Sequence, residues 1–257
     1  MLAQIVLTPA EGKRLIAKAI AHMDIVQEAM KEGIVVVCTS TTDAYVLEEL
    51  TGEEVKDKGM FTAGVVTREG LMITEVKGRH DHHVFEKGKV KTLKTQELPP
   101  ILAKMGPGDV FIKGANAIDP FGAAGVLLGG AGGGTIGAAW GYLTSNGVTT
   151  IIAAGLEKLV PISLTDVVAR MGMKKVDYAM GVKCGMMVVQ GAVITEMEAF
   201  KELFGVDIIP IGGGGIDGGE GSKIFLLDGE DEAVKAAVEL ARGIKGEPQL
   251  KTRTQKA

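Results

Sequence analysis

The stretch DVFIKGANAIDPFGAAGVLLGGAGGGTIGAA, residues Asp109–Ala139, decides the fold. DVFIK has the continuous apolar pattern of a buried strand, and a second strand is predicted from Gly125 to Leu128. A glycine loop, Gly129 to Gly134, then opens a helix. A strand, a polar turn, a second strand and a glycine loop that starts a helix are typical of an α/β protein with its ligand site at the carboxyl ends of the strands.

Two further buried strands are predicted on either side of this stretch. They run from Ile34 to Cys38 and from Thr149 to Ala154, and each is followed at once by a polar loop. A helix from Thr8 to Lys31 precedes them, with Thr8 as its cap. We therefore predict an α/β ligand-binding domain over residues 1–160, built on a mostly parallel, Rossmann-like sheet with helices on both faces.

The chain beyond Pro161 has a different order of elements. Strand, helix, two strands and helix (β-α-β-β-α) predict a small α+β subdomain over residues 161–250. Its loop Gly212–Gly221 is flexible, or it is a lid that covers the site. Residues 251–257 are polar and are predicted to form a frayed tail.

The composition excludes several classes of protein. Hydrophobic residues make up 46% of the chain and aromatic residues only 4%, so the core is predicted to be aliphatic. The net charge of −4 and the lack of a basic cluster argue against a nucleic-acid partner. No apolar run reaches the ~20 residues of a membrane span, and the amino terminus lacks a signal-peptide pattern. With two cysteines and no CxxC pair, we expect a soluble, cytoplasmic homo-oligomer that binds neither nucleic acid nor membranes.

Polar residues follow each of the predicted parallel strands. Because the carboxyl ends of parallel strands meet at one edge of a sheet, these residues are expected to share a crevice, where hydroxyls and free backbone amides suit an anion. We predict a small phosphorylated or carboxylated metabolite as the ligand. The predicted ligand-binding residues are Thr39, Ser40, Thr41, Thr42, Asn116, Gly130, Gly132, Gly133, Gly134 and Lys158. Capping of the following helix by Ser and Thr is the alternative role of the 39–42 loop.

Three residues at the same edge are predicted to carry chemistry. Asp119 and Glu157 are the carboxylates that can act as a general base. Lys113 is expected to steady developing negative charge. Together they predict proton transfer, isomerisation or acyl chemistry that needs no cofactor. The alternative is a non-catalytic, ligand-sensing or oligomer-forming protein of the same fold.

Two further patterns leave alternatives open. Gly132–Gly137 satisfies GxGxxG, so NAD or FAD binding is a second hypothesis, with Glu157 as the acidic residue that follows. His80, His82 and His83 lie close together, and in a strand His80 and His82 share a face. A metal can bind such a pair, but the highly charged surrounding sequence favours a solvated or interface strand, and we predict no metal site.

With these segments identified, the chain resembles the superfamily that includes ribose-5-phosphate isomerase, glucosamine-6-phosphate deaminase and the CoA transferases. EAMKEGIVVVCTSTTDAYVLEEL (28–50) is similar to the phosphate-binding segment of the isomerase. KGANAIDPFGAAGVLLGGAGGG (113–134) resembles its acidic turn, strand and glycine loop. IIAAGLEKLVP (151–161) is similar to the corresponding strand end of the lactate-utilisation branch.

The departures from the isomerase pattern limit what this resemblance implies. Lys113 and Asn116 stand where that pattern has two aspartates. Gly129 or Gly130 replaces its catalytic lysine, and apolar residues near Ala138 replace its Glu-Lys pair. The resemblance therefore implies an anion-binding α/β fold without ordinary ribose-5-phosphate isomerase activity.

Overall fold

The computed structural model describes residues 1–255, which form an α/β protein with eight α-helices and four β-sheets. The strands are β1 (Leu2–Leu7), β2 (Ile34–Val37), β3 (Gly64–Thr67), β4 (Gly70–Thr74), β5 (His82–Glu86), β6 (Lys89–Leu93), β7 (Val110–Gly114), β8 (Ala117–Ile118), β9 (Ala124–Leu128), β10 (Thr149–Ala153), β11 (Gly185–Val189), β12 (Ala192–Ile194), β13 (Asp207–Gly214), β14 (Ser222–Asp228) and β15 (Thr254–Gln255). The helices are α1 (Pro9–His22), α2 (Asp24–Glu32), α3 (Asp43–Thr51), α4 (Pro99–Leu102), α5 (Gly134–Asn146), α6 (Leu164–Val168), α7 (Glu196–Phe204) and α8 (Asp231–Gly243).

The central sheet has six strands in the order β12-β10-β7-β2-β5-β6. The first four are mutually parallel, whereas β5 and β6 pair antiparallel at one edge. Ile112 of β7 lies in register with Val37 on one side and Ile151 on the other. The predicted α/β class and its three buried strands are confirmed, but the sheet is mixed and the remaining strands form three smaller sheets.

The first helical region is divided in two, unlike the single helix predicted from Thr8 to Lys31. A capping box between Thr8 and Glu11 starts α1 as expected. Met23 has an extended conformation with ψ 128° and separates α1 from α2. Neither glycine nor proline stands at this position, so the sequence carries no strong signal for the break.

The amino-terminal strand β1 was not predicted and pairs along its whole length with β14. Together with β13 these strands form a separate antiparallel sheet. The strands and helices predicted after Lys183 are present, but β12 extends the central sheet and β11 pairs with β9. The C-terminal segment therefore shares its strands with the rest of the chain.

The third small sheet, β15-β4-β3, lies beside the carboxyl edge of the central sheet. Part of the predicted frayed tail contributes to it, because Thr254 and Gln255 pair with β4; residues 256–257 lie outside the described residues. Along the same edge, β4 is also held by residues 180–182, where Leu71 exchanges backbone hydrogen bonds with Met180 and Val182. A side-chain carbon on Gly70 or Gly181 would collide with the opposite backbone, so both positions need glycine.

The core is one contiguous cluster that includes residues from the first strand to the last helix. It is mainly aliphatic, as predicted, and several of its aromatic side chains, among them Phe111 on β7, are fully buried. Within residues 1–255, no helix is both long enough and apolar enough to cross a membrane.

Replacing Phe111 with alanine tests the central position of β7. Because the ring is 0% exposed in the sheet, we expect Phe111→Ala to lower the free energy of unfolding by about 3–5 kcal/mol. Phe121→Ala is the matched control, since that ring is 78% exposed and its loss should change stability by less than about 0.5 kcal/mol. Guanidinium titration measures both, and equal effects would contradict the described core.

Candidate functional site

A cavity of about 750 Å³ lies at the carboxyl ends of β2, β7 and β10. The turns that follow these strands line one side, and the glycine loop before α5 lines another. The β3–β4 hairpin and residues near Val182 and Cys184 form an apolar wall. A volume of this size is typical of pockets that bind metabolites and cofactors.

The loop after β2 delivers three of its four hydroxyl residues to the cavity. Thr39, Ser40 and Thr41 line it, whereas Thr42 is fully buried behind them. The Ser40 hydroxyl accepts the Asp43 N–H (3.1 Å), which is a capping interaction. The backbone N–H groups of residues 40–42 have no hydrogen-bond partner among the described residues. The capping hypothesis for this loop thus applies to Ser40, and the amides of residues 40–42 are left without a protein partner within residues 1–255.

The glycine loop lies across the same cavity. Gly129, Gly130, Gly133 and Gly134 line it, and Gly132 does not. Three successive residues, Gly132, Gly133 and Gly134, have φ values of 74°, 78° and 57°, which other residues adopt only under strain. This backbone brings the amino end of α5 to the cavity without side chains in between.

His82 connects the two loops, a role that sequence analysis did not predict. Its Nδ1 accepts the Thr39 N–H (3.0 Å), and its Nε2 lies 2.9 Å from the Thr95 hydroxyl and 3.3 Å from that of Thr135. Burial, with smaller effects from Lys113 and His83, lowers the pKa of His82 to about 4. The ring is therefore neutral near pH 7, with its Nε2–H as the donor. No group of three metal-ligating side chains occurs within residues 1–255.

The turn after β7 contributes Lys113 and Asn116 to the cavity. The Lys113 ammonium donates to the Gly114 carbonyl (3.2 Å), and the Asn116 side-chain oxygen accepts the Leu127 N–H (3.0 Å). Behind them, the fully buried Asp43 carboxylate accepts the Gly114 N–H (3.0 Å). Burial raises the pKa of Asp43 to about 6, against the opposing effect of Lys113.

Asp119 does not line the cavity, although it was a predicted base. Its oxygens accept the backbone N–H groups of Phe121, Ala123 and Leu164 at 2.9–3.0 Å. Burial raises the pKa of this carboxyl, but the three N–H donors outweigh it and hold the pKa below its usual value. Asp119 therefore holds its own turn and the start of α6.

The turn after β10 carries the remaining predicted acid. Glu157 lines the cavity, and its Oε1 accepts from Lys13 Nζ (2.8 Å) on α1. Burial raises the pKa of Glu157, but the charges of Lys13 and Lys158 outweigh it, so the pKa is lowered and the group is ionised at neutral pH. The Lys13 contact, across 144 residues of sequence, was not predicted.

A second carboxyl, Glu196, lies beside Glu157 at the start of α7. A side-chain carbon on Gly155 would meet oxygens of both carboxyls, which identifies them as neighbours. The Glu196 Oε2 accepts the Leu156 N–H (2.8 Å), whereas the buried Oε2 of Glu157 has no partner within residues 1–255. Burial, followed by the charge of Glu157, raises the pKa of Glu196 to about 7. Burial and the neighbouring negative charge therefore favour the protonated form of Glu196, while Glu157 stays ionised.

Three cavity-lining cations lack a carboxylate partner. Arg79, Lys113 and Lys158 form no salt bridge with any carboxylate in the described part of the chain, unlike Lys13. The Arg79 guanidinium is held by the hydroxyl and carbonyl of Thr74 on β4. Arg79 belongs to the histidine-containing segment, away from the strand ends at which the ligand-binding residues were predicted.

The structure thus brings together most of the predicted site residues. Those that line the cavity are Thr39, Ser40, Thr41, Lys113, Asn116, Gly130, Gly133, Gly134, Glu157 and Lys158. Thr42, Asp119 and Gly132 are outside the lining, and so is the loop Gly212–Gly221, which was considered as a lid. The β3–β4 hairpin covers the cavity instead.

No protein-family model matches the chain, and no curated protein is similar to it. The GxGxxG spacing at Gly132–Gly137 also lacks its usual context. The preceding strand β9 pairs antiparallel with β8 and β11, whereas a dinucleotide-binding unit places a parallel strand of the main sheet there.

The Glu157–Glu196 pair predicts a pH-dependent effect of Glu196→Gln. The folded protein holds the Glu196 proton more tightly than the unfolded chain, because the pKa rises from 4.5 to about 7. Stability contributed by this group is therefore lost as pH rises through about 7. Glutamine cannot ionise, so Glu196→Gln should match wild type near about pH 5 and be the more stable protein near about pH 8. Denaturant titration at both pH values measures the difference; a constant difference would show that Glu196 ionises normally.

His82→Ala tests the connection between the two loops. Loss of its buried hydrogen bonds should lower the free energy of unfolding by about 1–3 kcal/mol and speed hydrogen exchange of the Thr39 amide. Because the pKa of His82 falls from 6.5 to about 4 on folding, acidification between these values charges the unfolded chain first and removes stability. His82→Ala should lack this loss. His22→Ala, at a side chain that is 65% exposed, is the control and should change neither quantity.

Proposed function

We propose that the cavity binds a small phosphorylated or carboxylated metabolite. The observation that carries the proposal is the trio Arg79, Lys113 and Lys158, three cationic side chains that line the cavity without a carboxylate partner. Cations that are partly removed from water need compensating negative charge, and here the cavity is where such charge can enter. A bound anion would supply it.

The loop after β2 is the proposed seat of the anionic group. Its free N–H groups at residues 40–42 precede α3, whose dipole favours negative charge. The Thr39 and Thr41 hydroxyls and the Lys113 ammonium add donors from the same side. The buried Asp43 carboxylate in the first turn of α3 accepts the Gly114 N–H and is not part of the cavity lining, so it does not contact an anion bound there.

Glu157 is the proposed general base of the site. Its pairing with Lys13 keeps it ionised, as a base must be at neutral pH. Glu196 beside it holds a proton at neutral pH and can act as a reserve. These properties favour proton transfer next to a carbonyl, the chemistry of an isomerase-like or transferase-like enzyme. The non-catalytic alternative is favoured by the position of Asp119, which leaves Glu157 as the single predicted base in the lining.

We also propose a superfamily, an oligomeric state and a cellular location for the protein. Strand-end turns that supply hydroxyls, amides and lysines support distant membership of the isomerase, deaminase and CoA-transferase superfamily, with a Rossmann-like arrangement of the four parallel strands. Exposed Ile209 and Ile211 on the edge strand β13 support a homo-oligomer. Cysteines without a disulfide support the cytoplasm.

Removal of the Lys113 charge tests the anion site. We expect wild type to bind inorganic phosphate, pyruvate or dihydroxyacetone phosphate with an affinity that falls as salt rises, since the contact is largely electrostatic. Lys113→Met should weaken binding at least about tenfold, because a charge-assisted hydrogen bond contributes about 1.5–3 kcal/mol. Lys104→Met, at an exposed lysine outside the cavity, is the control. Isothermal calorimetry measures all three proteins.

A second experiment separates a catalytic protein from a ligand-sensing one. Exchange of substrate protons with deuterated solvent, followed by NMR, should occur with wild type and fall about 100-fold or more in Glu157→Gln. Binding that persists without exchange in wild type would favour the sensing protein. Failure of wild type to bind any of the three anions would overturn the proposed function.

A further inference from the structure

Lys158 differs from the other lysines of the cavity in having no partner. Its side chain lines the cavity and is only partly accessible. Lys13 is bound to Glu157 and to the Pro9 carbonyl, and Lys113 donates to a backbone carbonyl. Lys158 Nζ makes neither a hydrogen bond nor a salt bridge to any residue between 1 and 255. Its amine is therefore available to a ligand.

We propose that Lys158 is a nucleophile that forms an imine with the carbonyl group of an anionic substrate. This inference rests on the proposed function, since the anion site would orient the substrate. The substrate class is then a compound with a ketone or aldehyde a few bonds from a carboxylate or phosphate. Two sources of that chemistry are a 2-oxo acid and a phosphorylated ketone.

The surroundings of Lys158 favour the neutral amine that such a reaction needs. Burial lowers the pKa of Lys158, and the positive charges of Lys13 and Lys113 add to this effect. Glu157 and Asp43 act in the opposite direction, and the net result is a lowered pKa. Desolvation and neighbouring cations are two established ways to activate a lysine.

The position of Lys158 fixes where it meets the substrate. It ends the short 3₁₀ helix Leu156–Lys158 that follows β10, and its backbone N–H donates to the Gly155 carbonyl (3.0 Å). This hydrogen bond holds the main chain of Lys158 close to the end of β10. Lys113 and Arg79 line the same cavity and remain free for the anionic group when Lys158 reacts.

The neighbouring carboxyls of Glu157 and Glu196 supply the acid and base that imine formation requires. The nitrogen lone pair of Lys158 attacks the carbonyl carbon, and the carbonyl π electrons move to oxygen. One proton leaves the nitrogen and one reaches the oxygen, which gives the carbinolamine. Loss of water then breaks the C–O bond and forms C=N, as one proton is delivered to the leaving hydroxyl and the second nitrogen proton is removed. Glu157 lies next to Lys158 in sequence and beside Glu196, so these carboxyls can accept the protons from nitrogen and return them to oxygen. No oxidant or reductant takes part.

Reductive trapping tests the proposal directly. Wild-type protein is incubated with sodium cyanoborohydride and either pyruvate or dihydroxyacetone phosphate, and the labelled lysine is identified by peptide mass spectrometry. We expect the label on Lys158, with one of the two probes reacting faster and so naming the source of the carbonyl. A label that falls on Lys13 or Lys113 instead would overturn the proposal.

Lys158→Arg separates the nucleophile from a merely electrostatic lysine. Arginine keeps the positive charge but does not form a stable imine, so trapping should fall about tenfold or more. Lys104→Arg is the control and should be labelled like wild type. Trapping that survives in Lys158→Arg would refute the role of this residue, and the wild-type peptide map gives an independent answer if the variant folds poorly.

The outcomes also distinguish this inference from the proposed function. Anion binding by wild type without any trapped carbonyl compound would overturn the imine and leave the anion site intact. Absence of anion binding together with absence of trapping would remove both.

Discussion

The parallel pairing of β2, β7, β10 and β12 is the constraint on which the site depends. Parallel strands end at the same edge of a sheet, so four segments far apart in sequence deliver their next residues to one place. Thr39–Thr41, Asn116, Glu157 and Glu196 all follow these strands within a few residues. The aliphatic core holds the strands in register, because a slip of one residue would turn buried side chains outward.

One ion pair at this edge, Lys13–Glu157, influences the ionisation of the neighbouring carboxyl. Lys13 and Glu157 lie 2.8 Å apart with side chains 10% and 18% exposed. Such a pair adds little net stability, because desolvation offsets the attraction, but losing one partner costs about 3–5 kcal/mol. Because Lys13 pairs with its Oε1, Glu157 keeps its negative charge. Burial together with this charge raises the pKa of the neighbouring Glu196. Glycines make room for the pair, since a side-chain carbon on Gly12 would overlap the Glu196 carboxyl.

The sequence predicts those features that local pattern determines. The run IVVVC and the stretch DVFIK are buried strands as expected, and the glycine loop opens a helix, because apolar runs and glycine conformations act over a few residues. Contacts between distant segments could not be predicted. The bond from Lys13 to Glu157 spans 144 residues, and that from Thr39 to His82 spans 43. Asp119 lies outside the cavity lining for a local reason: in the turn DPFG, the aspartate accepts hydrogen bonds from the backbone that follows it. Glu196 follows β12, a strand of three residues that is too short to detect by pattern.

The wall opposite the strand ends determines what the charged groups can do. Val65, Leu71 and Met72 of the β3–β4 hairpin face the cavity with Val182, and they offer a ligand no hydrogen bonds from their side chains. Water beside such a wall is easily displaced, and once it leaves, the interaction between an anion and Lys113 or Arg79 strengthens because the local dielectric constant falls. The same loss of water favours the neutral amine of Lys158 over its ammonium form. The proposed anion binding and the proposed activation of Lys158 therefore require the same physical change, the exclusion of water from the cavity. The hairpin is held along one edge of β4, where both β15 and residues 180–182 pair with it, while β3 occupies the other edge.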